Sequence, residues 1–290
     1  MDTHDAISEF LTTRRAKLTP AQVGLPDFGG RRRVPGLRRE EVALVAGMSS
    51  EYYKRLERGN ATGVSEAVID GVSRALQLDD AEHSHLHDLI RAANAGAHPQ
   101  QRQRPARSSR LTPGMQQTID AMSTVPVFVQ NGRLDAVATN RLGRALFSEM
   151  LDDARPPVNA ARFIFLDPRA QTFYREWEAQ TRQIVAVLRA EAGRSPYDRH
   201  LSDLVGELST RSDLFPKLWG AHDVREHRTG LKAVHHPVVG DLDLTFQAMD
   251  LASHRGLQMI VFSAEPGSAT YERLQLLANV TEAASQEATL

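Results

Sequence analysis

The sequence predicts a multidomain α + α/β protein. An all-α head of five helices, built around a helix-turn-helix, precedes an antiparallel five-stranded sheet with helices packed on one face. Three observations carry this. Residues 37–59 read as two short helices about a glycine turn. Residues 94–110 hold almost nothing to bury. Beyond residue 125, β-rich runs bracket a long helical stretch.

The head is justified element by element. Ile7, Phe10 and Leu11 make the apolar stripe of a first helix. In LRREEVALVAGMSSEYYKRLERG, which begins at Leu37, Val42, Val45 and Ala46 fall at i, i+3 and i+4, the spacing of one buried helical face. Gly47 is placed to end that helix in a left-handed C-cap, and Ser49 to cap the next. Tyr53 and Leu56 then lie on one side of the second helix, with Ser50, Glu51, Lys54, Arg55 and Arg58 on the others. Val68, Ile69, Val72 and Leu76 form a further stripe entered through Ser65. Asp79 to Glu82 has the form of a capping box, opening a helix with Leu86, Leu89 and Ile90 inward.

A short helix that buries two residues and presents small, polar and basic side chains suits a DNA major groove. An αα-hairpin alone is common in helical proteins; the arginines around this one distinguish it. Arg31, Arg32 and Arg33 precede the motif, and Arg38 and Arg39 open its first helix, where free N–H groups already favour phosphate. The candidate DNA-contacting set is Arg31, Arg32, Arg33, Arg38, Arg39, Ser49, Ser50, Glu51, Tyr52, Lys54 and Arg55. Glu51 is placed to accept from a cytosine amine.

Residues 31–93 resemble the Cro/repressor (XRE) class of helix-turn-helix regulators. The wording RRRVPGLRREEVALVAGMSSEYYKRLERGNATGVSEAVIDGVSRALQLDDAE is similar to its actinobacterial branch with a MmyB-like ligand-binding domain. Many members carry a Gln at the second position of the first motif helix, where it braces the recognition helix and touches phosphate. Here Arg39 stands instead; the phosphate contact carries over, and the bracing role is left open. FIFLDP at 163–168, FYREW at 173–177, LW at 218–219 and AEPGS at 264–268 extend the resemblance through most of residues 110–280. It implies a PAS-like C-terminal domain that senses a small apolar molecule, with a long-chain fatty acid as the leading candidate.

Charge is distributed accordingly. The net charge is −1, but residues 1–110 hold 17 Lys and Arg against 14 Asp and Glu, and the remainder 18 against 22. The local excess matters for phosphate. It is small, which favours a homodimer reading two half-sites of a double-stranded operator. The expected organisation is 1–95 for DNA, 96–110 as linker and 111–280 for the ligand. Residues 94–110, NAGAHPQQRQRPARSSR, have a linker's composition.

In the C-terminal part, 125–130 and 133–139 are strand-like runs about Asn131-Gly132, a strong hairpin signal. One long helix is expected next, with Asp167 as N-cap, Pro168 at N1 and Gly193 just past its end. Its stripe is Phe173, Trp177, Thr181, Ile184 and Leu188. Leu201, Leu204, Val205 and Leu208 mark another helix, and strands follow at 231–236, 242–248 and 257–264.

No catalytic or metal-binding constellation stands out, so no enzyme and no cofactor is expected. Cysteine is absent, which removes thiolate chemistry. His235 and His236 are adjacent on a strand and should face opposite ways, and His222-Asp223 suits a loop cap better than a proton relay. No apolar run reaches the roughly 18–20 residues that span a bilayer, and the N-terminus lacks a signal-peptide layout. The cytoplasm, with the nucleoid when DNA is bound, is the expected location. For the apolar ligand the candidate lining is Phe163, Phe165, Phe173, Trp177, Ile184, Leu188 and Trp219. The alternative is that the C-terminal domain binds a protein partner rather than a metabolite.

Overall fold

The structure, a computed structural model, describes residues 3–25, 36–95, 111–152, 156–221 and 229–287. The chain divides into two compact units. The first comprises Met1–Arg102, Arg189–Val205 and Lys217–Glu226, and the second Gln103–Leu188, Gly206–Pro216 and His227–Leu290.

The first unit contains α1 (Thr3–Lys17), α2 (Arg39–Val45), α3 (Ser50–Glu57), α4 (Glu66–Ala75) and α5 (Asp80–Ala95), the five helices predicted. Ile7, Phe10, Leu11, Val42, Tyr53, Leu56, Val72 and Leu86 are fully or almost fully buried in one core. Asp79 and Glu82 form the reciprocal capping box ahead of α5, each carboxylate accepting from the other residue's backbone N–H at 2.9 and 3.2 Å. The α2 stripe is corrected. Val42 and Ala43 are buried, Ala46 is half-buried and Val45 is exposed, because a seven-residue helix turned by Gly47 presents only two consecutive positions to the core. Helix α5 also runs through Asn94 and Ala95. Asn94 is held by its side chain, which accepts from Gly63 N–H and donates to the Ala61 carbonyl. Residues 96–110, the expected linker, lie outside the described residues.

The second unit opens with α6 (Pro113–Ala121), β1 (Val127–Asn131) and β2 (Ala136–Thr139), then α7 (Arg141–Leu146), α8 (Ser148–Leu151), α9 (Ala160–Leu166) and α10 (Arg169–Phe173). Helices α11 (Trp177–Arg194), α12 (Arg199–Arg211) and α13 (Phe215–Gly220) follow in the chain, each divided between the two units. The chain then forms β3 (Thr229–His236), β4 (Gly240–Asp250), β5 (Leu257–Ser263) and α14 (Ala269–Glu287). The sheet is five-stranded and antiparallel, in the order β2-β1-β5-β4-β3.

Strand alternation sorts the apolar residues onto two faces. Phe128, Leu242, Leu244, Phe246 and Phe262 share one core with residues of α7 to α10 and with Leu274 and Leu277 of α14. Val127 and Val129 point the other way, against Ile119 of α6. Helices therefore cover both faces, the second only in part, which corrects the one-face expectation.

Two further expectations change. Asn131-Gly132 does not make a two-residue turn. The Asn131 side-chain oxygen accepts from the N–H groups of Arg133 and Asp135, and Leu134 takes the left-handed conformation at φ 67°. Burial of the Leu134 side chain compensates that conformation. The long helix expected from Asp167 is two helices. The chain breaks after Phe173 because Tyr174 bridges to Val234 and the Arg175 N–H donates to the Ala233 carbonyl, so an extended segment closes onto edge strand β3. Gly193 lies inside α11 rather than beyond it. A Cβ there would meet the His85 ring at 2.6 Å, so close packing explains the glycine.

Candidate functional site

Two sites are distinguished, one in each unit. In the first, Ser49 caps α3 by accepting the Tyr52 N–H at 3.1 Å. Gly47, at φ 70°, supplies the left-handed residue of the turn. Glu57 fixes how α3 is presented. Its carboxylate is 1% exposed and takes a hydrogen bond from Arg15 Nε of α1 at 2.6 Å and another from Arg39 Nε of α2. Arg15 also donates to the Leu37 carbonyl at 2.7 Å, tying the entry of α2 into the same cluster. The hydrogen bond to Glu57 strengthens proton retention by Arg39. Arg39 thus supplies the brace that the resemblance left unassigned, and with a side chain 45% exposed it still reaches solvent.

The outer face of α3 matches the sequence reading. Glu51, Arg55 and Arg58 are exposed, and Ser50, Tyr52 and Lys54 are half-buried. The Arg55 guanidinium stands 5.0 Å over the Tyr52 ring, which orients it along the helix surface. Lys54 lies between Glu40 and Glu51 at 3.9 and 4.0 Å, loose enough to exchange either for a phosphate. Ser49 and Arg38 are exposed, and the Arg38 backbone N–H donates to the Glu41 carboxylate at 2.6 Å. Arg31, Arg32 and Arg33 fall outside the described residues. Periodicity did not single out Glu57 or Arg15. Their signal is a charge at a core-facing helical position, which becomes meaningful only once its partners are known.

In the second unit an aromatic cluster gathers most of the candidate lining. Phe163 and Phe173 are buried in it, and Phe165, Trp177 and Ile184 pack against it half-buried. Trp177 is oriented by its indole N–H, which donates to the Ile164 carbonyl at 2.9 Å. Phe173 meets Tyr174 edge-on at 4.9 Å and Phe147 at 6.0 Å, and Phe147 meets Phe262 at 5.1 Å. Leu188 is fully buried. Neither Leu188 nor Trp219 is among the residues of this cluster. The Trp219 ring lies 4.4 Å from the Arg189 guanidinium, and Trp219 and Arg189 both belong to the first unit.

The adjacent histidines separate as strand geometry requires. His236 is buried, with Nε2 2.9 Å from the Ala145 carbonyl, and burial lowers its pKa. His235 is exposed beside Asp241 at 2.6 Å. His222-Asp223 lies outside the described residues. Among the described residues no group of His, Asp and Glu is arranged to hold a metal ion, and no helix is long and apolar enough to cross a membrane.

Two family models match the chain. Residues 6–86 match a helix-turn-helix domain. Residues 111–277, more than half of the chain, match the ligand binding domain of MmyB-like transcription regulators. No curated protein matches it in sequence.

Proposed function

The chain belongs to the MmyB-like transcription regulators, with a helix-turn-helix DNA-binding domain ahead of a ligand-binding domain, and from that premise we propose how it works. It is a one-component regulator. Residues 1–95 of a homodimer, of the XRE type, read two half-sites of a double-stranded operator, residues 96–110 tether them, and residues 111–280 sense a long-chain fatty acid.

The observation that carries the DNA half is the clamp on Glu57. It holds α3 against α1 and α2, so that Glu51, Lys54 and Arg55 stand on a rigid outward face, while the Ser50 hydroxyl is buried. Preorganised side chains lose little freedom when they meet base edges. Arg39, Arg38 and the run Arg31–Arg33 supply phosphate contacts, which orient the head without reading sequence.

The aromatic cluster supports the ligand half, because an apolar chain needs an apolar surround and one polar anchor. Ligand occupancy then alters operator affinity by a coupling of about 1–3 kcal/mol.

A gel shift with the DNA upstream of its own reading frame, run across a salt series, tests the first half. Arg55→Ala should lower the preference for that DNA over random duplex by about 1–3 kcal/mol, whereas Arg38→Ala should weaken both alike. Equal affinity of the unaltered protein for operator and random duplex would remove the sequence-reading claim. Native mass spectrometry of the purified protein tests the second half. A co-purifying fatty-acid mass supports the sensor, and a retained protein partner favours the interaction-module alternative.

A further inference from the structure

Lys232 occupies an unusual position. It stands on β3, paired in register with Leu244, on the face that also carries the buried Val234 and His236. Strand alternation therefore points it toward the aromatic core, where the residue is half-buried. Its ammonium lies 5.6 Å from the Tyr174 ring and 5.5 Å from the Phe246 ring. Among the described residues no carboxylate pairs with it. Burial alone brings its pKa down to about 8. Two ring faces offset part of the desolvation of an ammonium, but they supply no counter-charge.

The rings around it form a continuous circuit. From Lys232 one side runs through Tyr174 and Phe173 to Phe147, and the other through Phe246 and Phe262 to the same Phe147. Centroid separations along both sides are 4.9–6.3 Å. The cation thus sits at the edge-strand end of an apolar surround, beside the Tyr174 ring, whose hydroxyl has no protein hydrogen bond among the described residues and reaches solvent. Burial raises the Tyr174 pKa, which keeps that hydroxyl a donor.

An apolar molecule with one anionic end matches this layout, its tail against the rings and its charge at the ammonium. We propose that Lys232 is the anchor for the carboxylate of a long-chain fatty acid, with the Tyr174 hydroxyl as a second donor. This rests on the reading that the second unit binds such a ligand, and it adds the residue that selects the anionic head. An inward charge on an edge strand also discourages edge-to-edge pairing, and that role makes a different prediction for binding.

The test uses the full-length protein, with hexadecanoate and its methyl ester as probes in titration calorimetry. The unaltered protein should bind the acid at least tenfold more tightly than the ester. Lys232→Met should abolish that preference while leaving ester affinity within about twofold. Lys232→Arg should retain it, and Tyr174→Phe should reduce it. Circular dichroism and operator binding report whether each variant is folded, and Lys232→Gln replaces Lys232→Met should the latter fail to fold. An acid preference unchanged in the neutral variants would overturn the anchor while leaving the sensor reading intact. Variants that self-associate but keep the preference would assign Lys232 to edge protection instead. Failure of both probes to bind the unaltered protein would overturn the ligand reading, and the anchor with it.

Discussion

Single side chains decide how each site is presented, and two of them make opposite energetic predictions. Glu57 is a buried carboxylate satisfied by two arginines. Glu57→Gln removes the charge and leaves Arg15 and Arg39 facing each other. Breaking a buried pair from one side costs about 3–5 kcal/mol, and the loss should appear as a lowered midpoint in urea unfolding together with weakened operator binding. Unchanged stability would mean that the cluster only decorates the fold. Lys232 is the converse case, a half-buried charge with no carboxylate partner among the described residues. Its pKa of about 8 lies below the ordinary 10.5, so below pH 8 the folded protein carries the desolvated ammonium at full cost. Between pH 8 and 10.5 the folded state gives up the proton while the unfolded chain keeps it, and stability rises with pH. Lys232→Met should therefore raise stability at pH 7 by a figure on the order of 1–3 kcal/mol, with the gain shrinking toward pH 10.5. Thermal melts of the ligand-free proteins at pH 7 and 10 provide the check. Neither residue was legible in advance, because an acid or a lysine in an amphipathic pattern reads as surface until its neighbours are placed.

At the level of elements, the glycines of the helix-turn-helix separate backbone strain from packing. Gly47 and Gly59 both take positive φ, at 70° and 85°. A Cβ on Gly47 would meet nothing within 4 Å, while one on Gly59 would fall 2.3 Å from the His4 carbonyl oxygen. Gly47→Ala should cost about 1–2 kcal/mol, the penalty of the left-handed region alone. Gly59→Ala should cost clearly more, because α1 must also retreat and the hydrogen bond from the His4 ring to the Gly59 carbonyl is lost. Comparable unfolding midpoints for the two variants would contradict this account. The elements themselves were largely readable. Five helices of the head and five strands of the sheet follow from apolar period and cap residues. The breaks that period missed, at Tyr174 and along Asn131–Asp135, arise where hydrogen bonds to distant or side-chain partners replace the regular ones.

For the molecule as a whole, the proposed regulation is a linkage between two ligands, and linkage is reciprocal. If hexadecanoate changes operator affinity by some factor, the operator must change hexadecanoate affinity by the same factor, within the range of about 5- to 150-fold typical of allosteric coupling. Titrating hexadecanoate into the free protein and into its operator complex measures this directly. Equal dissociation constants would mean that the two sites act independently, whatever each one binds.

What the sequence determined by itself was the five helices of the head, the five strands of the sheet, the family resemblance and the charged side of α3. All of these rest on local spacing, which a linear string records in full. The tertiary structure decided which charges are buried and what meets them. Glu57 finds Arg15 and Arg39 on two other helices, and Lys232 of β3 turns into a circuit of rings drawn from β4, β5 and the segments before α11. Trp219 meets the Arg189 guanidinium instead of the aromatic cluster. The physical reason is that desolvation and pairing depend on contacts between residues far apart in the chain, and those exist only once it has closed on itself.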